Sequence, residues 1–216
     1  MALSQTAVSD RVRMFRKDLD RALDLYATLV VNGRTVDSGE NARSLPQPDR
    51  RDAAQFIFFE VAAKFETFMQ DLFTIAVRKR YSVSPARAAY IMGHPDRGVA
   101  GVMGWGSVKQ VSARAKNVFG ASAFLSRLER SLGKDVYQRL ELAHTLRNRV
   151  AHDSQGGASK YREALARLQV PKQSRQGASV GRVLIEYPVS ASPQDRWFHR
   201  MLEAYRTVAT KARTRI

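Results

Sequence analysis

The chain has no cysteine among its 216 residues. That removes disulfides, thiolate zinc sites and cysteine nucleophiles together, and it suits a reducing, cytoplasmic setting. It has no run of about eighteen apolar residues, so no membrane span is expected. The start, Met1 to Asp10, lacks the basic residues and apolar core of a secretory leader. The glycine-rich stretch Gly93–Gly106 holds five of the thirteen glycines but lacks a Gly-Lys-Ser/Thr ending, so it is no phosphate-binding P-loop. No nucleophile elbow supports Ser-His-Asp hydrolysis. The Phe and Met stripes read as core. No cofactor is expected.

Acidic residues are also scarce, 20 against 36 basic ones, for a formal charge of +16 and a pI near 10.7. The basic residues are 27 Arg and 9 Lys. A GC-rich genome would explain the choice of Arg over Lys but not the excess charge. A polyanionic partner explains the excess, because Lys and Arg contacts to phosphate release counterions, and the guanidinium fork fits phosphate. A membrane surface fits less well, since no basic amphipathic helix here carries a Trp-rich opposite face.

Apolar spacing predicts an all-α helical bundle with a long central helix. Asp10–Val31 reads as a first helix stopped by Asn32-Gly33, and Thr35–Pro48 as a polar loop. Arg51–Tyr81 has no Gly or Pro. Phe58, Val61, Phe65, Phe68, Leu72 and Ile75 step through it by three and four. A second row, Phe59, Ala62, Glu66, Met69, Phe73 and Ala76, runs beside the first. Two adjacent stripes mean packing on more than one side, either at the centre of a bundle or against both core and a second subunit.

Ser84-Pro85 begins a short helix ended by Gly93, and 94–106 reads as an irregular loop. Ser107–Val118, Ser122–Leu132, Asp135–Ala151 and Ala158–Leu168 read as helices, with Asp153–Gly157 as a stop. Arg182–Tyr187 is the one plausible strand and leaves room for a minor peripheral β-hairpin. Ser192-Pro193 caps a last helix to about Ala212. The chain reads as a single domain, 1–216, with a peripheral extension from about 170.

On Asp135–Ala151, at roughly 100° per residue, Val136, Leu140, Ala143, Leu146 and Val150 share one side. His144, Asn148 and His152 form a drifting stripe on the opposite flank, with Glu141 beside it. Arg147 falls with the apolar side, between Leu140 and Ala143. There it either snorkels or holds a structural salt bridge at the core edge, or it lines a cleft where phosphate arrives. His152 stands at a helix C-terminus, where the dipole favours imidazolium. A capping role and an acid–base role are both open to it.

The run Leu146-Arg147-Asn148-Arg149-Val150-Ala151-His152 resembles the signature of the HEPN superfamily: an Arg, a short spacer often led by Asn, and a His near the end of a helix. The resemblance covers about Asp135–Gly157, and elsewhere it is one of architecture only. It implies a metal-independent, HEPN-type endoribonuclease that cuts RNA through attack of the substrate's own 2′-hydroxyl. Such activity occurs in toxin–antitoxin and antiviral (phage-defence) settings. His152 would be the general acid or base, Arg147 would stabilise the phosphate, and Asn148 would orient either.

The family assembles its site from two motifs across a homodimer. Helix geometry bears on this, since Arg147 and His152 stand about 140° apart on an ideal helix and converge only if the helix loosens near Ala151 or if His152 meets Arg147 of a second subunit. Arg149 is left as a solvent-side or RNA-facing charge.

Glu66 and His144 are supporting candidates. Glu66 interrupts an apolar row, where it either pairs with Arg147 or sits in solvent at the bundle edge. His144, Asn148 and His152 span roughly 12 Å of helix axis, too far to share one metal ion, so no metal is expected. The rival reading is non-enzymatic: a helical RNA-binding or protein-interaction adaptor that keeps the motif as a structural pair. A regulatory or antitoxin partner would be acidic, to complement +16. No role is assigned to 94–106 or 182–188.

Overall fold

Helices formed by these apolar stripes make up the computed structural model, which describes residues 2–34, 44–88, 105–151, 155–189 and 195–216. The fold is all-α. Helix α1 (Ala2–Leu25) runs into a π-helical turn (Tyr26–Val31) that closes with the Asn32 amide donating to the Ala27 carbonyl at 2.9 Å. The long helix is α2 (Gln47–Tyr81), with Pro48 in its first turn, where a missing N–H costs nothing.

A helical turn follows Ser84, whose hydroxyl accepts from the Arg87 amide at 3.2 Å. Next come α3 (Val108–Phe119), a 3-10 turn (Leu125–Arg127), α4 (Leu128–Leu132) and α5 (Lys134–Ala151). Helices α6 (Gln155–Arg167), α7 (Val180–Glu186) and α8 (Trp197–Arg215) complete the order, with a 3-10 turn at Lys172–Ser174. Among the described residues no helix is long and apolar enough to cross a membrane.

Two expectations are corrected. Arg182–Tyr187 is not a strand: Arg182–Glu186 belong to α7 and Tyr187 follows its end, and among the described residues there are only isolated bridges, Arg34 to Ser44 and Pro188 to Arg196. A short apolar run does not distinguish a strand from a fully buried helix turn. Here the decision is made by Ser179, whose hydroxyl caps the Arg182 amide, and by an i,i+4 ion pair from Arg182 Nε to Glu186 at 2.9 Å. The stop at Asp153–Gly157 is shorter than expected. Gly156 and Gly157 lie inside the first turn of α6.

Contacts group the chain into two compact units. The first comprises Met1–Arg16, Ala63–Glu141 and Tyr205–Ile216. Its core is aromatic: Phe15 stacks on Phe68 at 4.6 Å, Phe65 on Tyr205 at 4.3 Å, and Phe73 meets Trp105 and Phe119 at 5.3 and 4.9 Å. The second comprises Lys17–Ala62 and Leu142–Ala204. Its core holds Leu19, Phe58, Leu146, Leu165, Leu184 and Met201, with Tyr26 stacked on Phe198 at 4.0 Å. Residues beyond 170, read as a peripheral extension, thus supply much of this buried set.

In the second unit α7 meets the start of α2 at Gly181. A Cβ there would run into the Arg51 carbonyl oxygen. Gly181→Ala should therefore cost about 1–3 kcal/mol, read as a lowered midpoint in urea, because backbone must shift to admit the methyl group. An unchanged midpoint would show that α7 is not seated so closely.

Glu186 supplies a pH signature. Burial raises its pKa, but hydrogen bonds from Arg182, Arg51 and Gln47 overcome that and hold it below the usual carboxylate value of 4.5. A depressed carboxylate contributes stability above its unfolded pKa and loses it as pH falls through the folded value. Wild type should thus lose stability relative to Glu186→Gln as pH drops below about 4.5. Parallel acid curves would refute this.

Candidate functional site

Helix α5 carries the motif, and its buried face is set by Leu140, Leu142, Ala143 and Leu146, while Val136 and Val150 are only half-buried. The core-facing arc is therefore rotated away from Arg147, which sits half-buried at its edge. That position lets the guanidinium reach α2. Its central carbon lies 5.6 Å from the centre of the half-buried Phe59 ring. A cation on an aromatic face gains about 0.5–2 kcal/mol, more as water is excluded. The apolar row that suggested core packing thus supplies a platform for a charge.

Arg147 is also tied to its own helix. Its Nη1 donates to Asn148 Oδ1 at 3.3 Å, and Asn148 Nδ2 lies 3.0 Å from His144 Nε2. The roles follow from chemistry. A guanidinium only donates, so the amide oxygen faces Arg147 and the amide N–H₂ faces His144. His144 Nε2 must then accept, which assigns its ring proton to the buried Nδ1. Arg147 does not lie on the His144–Asn148 stripe, yet Asn148 spans the gap and brings all three together.

His152, the next residue after α5, lies outside the described residues, as do Thr35–Arg43 in the polar loop and 94–104. Glu66 is half-buried on α2 within the first unit, whereas Arg147 belongs to the second. Glu141, beside the stripe in sequence, has a structural role. Its carboxylate accepts from the Lys109 amide at 3.0 Å and the Ser107 hydroxyl at 3.3 Å, at the N-terminus of α3. Among the described residues no group of three His, Asp or Glu is placed to hold a metal ion.

Arg149 is not simply a solvent-side charge. It is half-buried, with its guanidinium carbon 5.8 Å from the Tyr161 ring centre. Tyr161 is buried and donates its hydroxyl to the Ala178 carbonyl at 2.9 Å. Burial raises its pKa, with Arg149 opposing and Tyr187 adding to the rise. The sequence signal for Phe59 was present, since it heads the second stripe of α2. Nothing local pointed to its pairing with Arg147.

The Asn148–His144 link can be tested without any assumed activity. A double-mutant cycle of His144→Ala and Asn148→Ala should give a coupling energy of about 1 kcal/mol in chemical denaturation. Additive effects would mean that the two side chains do not act on each other. No family model matches this chain, nor does any curated protein or solved structure.

Proposed function

We propose that the chain is a metal-independent endoribonuclease of HEPN type that acts in the cytoplasm, with Arg147, Asn148 and His152 as its working residues. The observation that carries this reading is the seating of Arg147. An always-charged fork is fixed against Phe59 and Asn148 at the end of a helix, in a chain of charge +16. A guanidinium oriented before substrate arrives is suited to the extra negative charge of a pentavalent phosphate.

In the proposed reaction His152 takes the proton of the ribose 2′-hydroxyl. The 2′-oxygen then forms a bond to phosphorus as the bond to the 5′-oxygen breaks. The departing 5′-oxygen collects a proton from water, which the protonated His152 then replenishes, leaving a 2′,3′-cyclic phosphate and a 5′-hydroxyl. The substrate supplies the nucleophile, so neither Ser, Cys nor metal is required. Asn148 holds the Arg147 fork, and His144 holds Asn148. Two copies of the chain would pair so that His152 of each works with Arg147 of the other, which answers the separation of about 140° expected for the two on an ideal helix. Such an enzyme suits a toxin or phage-defence effector restrained by an acidic partner.

The test is cleavage of single-stranded RNA in excess EDTA. Wild type should cut it and leave cyclic phosphate ends. Arg147→Ala should lose about 10²–10³-fold in rate, and His152→Ala about 10²–10⁴-fold. Mixing the two inactive variants should restore activity, because each heterodimer contains one intact composite site. RNA bound but never cut would leave the adaptor reading. Cutting abolished by EDTA would end the metal-free mechanism, and mixtures that stay inactive would end the shared site.

A further inference from the structure

A second cluster in the same unit has a geometry of its own. Arg51 on α2 and Arg182 on α7 both grip Glu186 through Nε, Arg182 at 2.9 Å. Gln47 Nε2 adds a longer contact at 3.4 Å, and Arg196 Nη1 donates to the Glu186 carbonyl at 2.9 Å. Two guanidinium groups thus hold the carboxylate and a third donates to the same residue's backbone carbonyl, a net of +2 from three minus one. The Gly181 approach makes this sharing feasible, since it lays the α7 backbone on the Arg51 carbonyl.

Exposure orders the charges. The Glu186 side chain is 22% exposed, against 33% for Arg51 and 38% for Arg182. The carboxylate is the inner member and the arginines the outer ones. Contact through Nε occupies one edge of each guanidinium, and with five N–H donors in all each fork has more donors than that contact uses. Arg182 is held further by the Tyr187 ring, 5.9 Å below its central carbon. An exposed ion pair contributes only about 0–1 kcal/mol, so one arginine would suffice if neutralising Glu186 were the purpose. Fixed forks with surplus charge fit phosphate oxygens.

We infer that Arg51 and Arg182, braced by Glu186, form a clamp for the backbone phosphates of single-stranded RNA. This rests on the ribonuclease reading and extends it by naming where the strand is held away from the cut. Arg51 and Phe59 share α2, eight residues or about 12 Å apart along the axis. A strand with one phosphate at Arg147 would reach the clamp within a few nucleotides. Arg200 provides an internal contrast. It is bound by Asp195 through two contacts of 2.6 Å and by Glu203 at 3.2 Å, so its charge is already matched.

The experiment measures binding of labelled oligouridylate to full-length protein across a salt series. All proteins carry His152→Ala so that the probe survives. Arg51→Gln and Arg182→Gln should each weaken binding about tenfold and lower the slope of log affinity against log salt by about 0.7. Arg200→Gln should change neither. Glutamine keeps a donor for Glu186. Should either variant still prove unstable, Arg182→Lys should keep the salt slope while losing part of the affinity. Wild-type affinity and slope in both glutamine variants would overturn the clamp, as would loss of binding to polyglutamate but not to oligouridylate. The two readings fail separately. A protein that never cuts RNA but loses binding at Arg51 and Arg182 keeps the clamp. One that cuts RNA while both variants bind normally keeps only the nuclease.

Discussion

A guanidinium does not give up its proton at any pH the fold survives, and this chain must seat 27 of them with only 20 carboxylates. That imbalance shapes its local packing. Where carboxylates serve, they form ordinary pairs, as in Arg11 with Asp71 or Arg13 with Asp10. Aromatic faces also share the task. Arg114 lies over Phe73 and Trp105, Arg147 over Phe59, Arg149 over Tyr161 and Arg182 over Tyr187. The two devices differ in consequence. A carboxylate holds an arginine and cancels its charge, whereas a ring holds it and leaves the charge in place.

The motif helix shows why this matters for chemistry. The guanidinium of Arg147 lies over Phe59, and the Asn148 amide oxygen accepts from its Nη1. Asn148 is suited to this because its two ends differ, oxygen toward Arg147 and N–H₂ toward His144. Asp at this position would present only acceptors, and Leu none. The order Arg-Asn within the motif therefore has a physical reason that does not depend on any family pattern: adjacent residues lie about 100° apart on a helix, and one short amide bridges that angle.

How much of this was legible beforehand varies with the kind of signal. Helix α2 was readable almost to its ends, because thirty-five residues of three-and-four spacing leave few alternatives. Its start at Gln47 rather than Arg51 reflects a proline that fits a first turn as easily as a loop. Helix α7 was misread because Val183-Leu184-Ile185 is buried whichever way the backbone runs, so no periodicity survives. The informative residues were polar: Ser179 as a cap, and Arg182 and Glu186 four apart. The π-helical turn at Tyr26–Val31 left no pattern, since its apolar residues fit an α-helix equally well. At the site, Arg147, Asn148 and His144 were candidates in the sequence and the structure brings their side chains together, whereas Phe59 was not among the candidates. Sequence spacing places residues on one helix relative to each other, whereas a partner on another helix is fixed only by packing.

The same limit applies to charge. From the sequence, +16 is a sum, and it implies a polyanion without saying where the polyanion would lie. The structure divides that sum unevenly. Arg200 is saturated by two carboxylates. Around Glu186 the ratio is reversed, with two arginines on one acid and a third on its backbone carbonyl, and the acid is the most sheltered of the ion-paired side chains there. A cluster built for stability alone would balance its charges, since repulsion among unmatched cations costs energy that an exposed pair barely repays. Surplus charge held by Nε contacts and by the Tyr187 ring is what the proposed clamp would use, with a phosphate completing the balance when it binds.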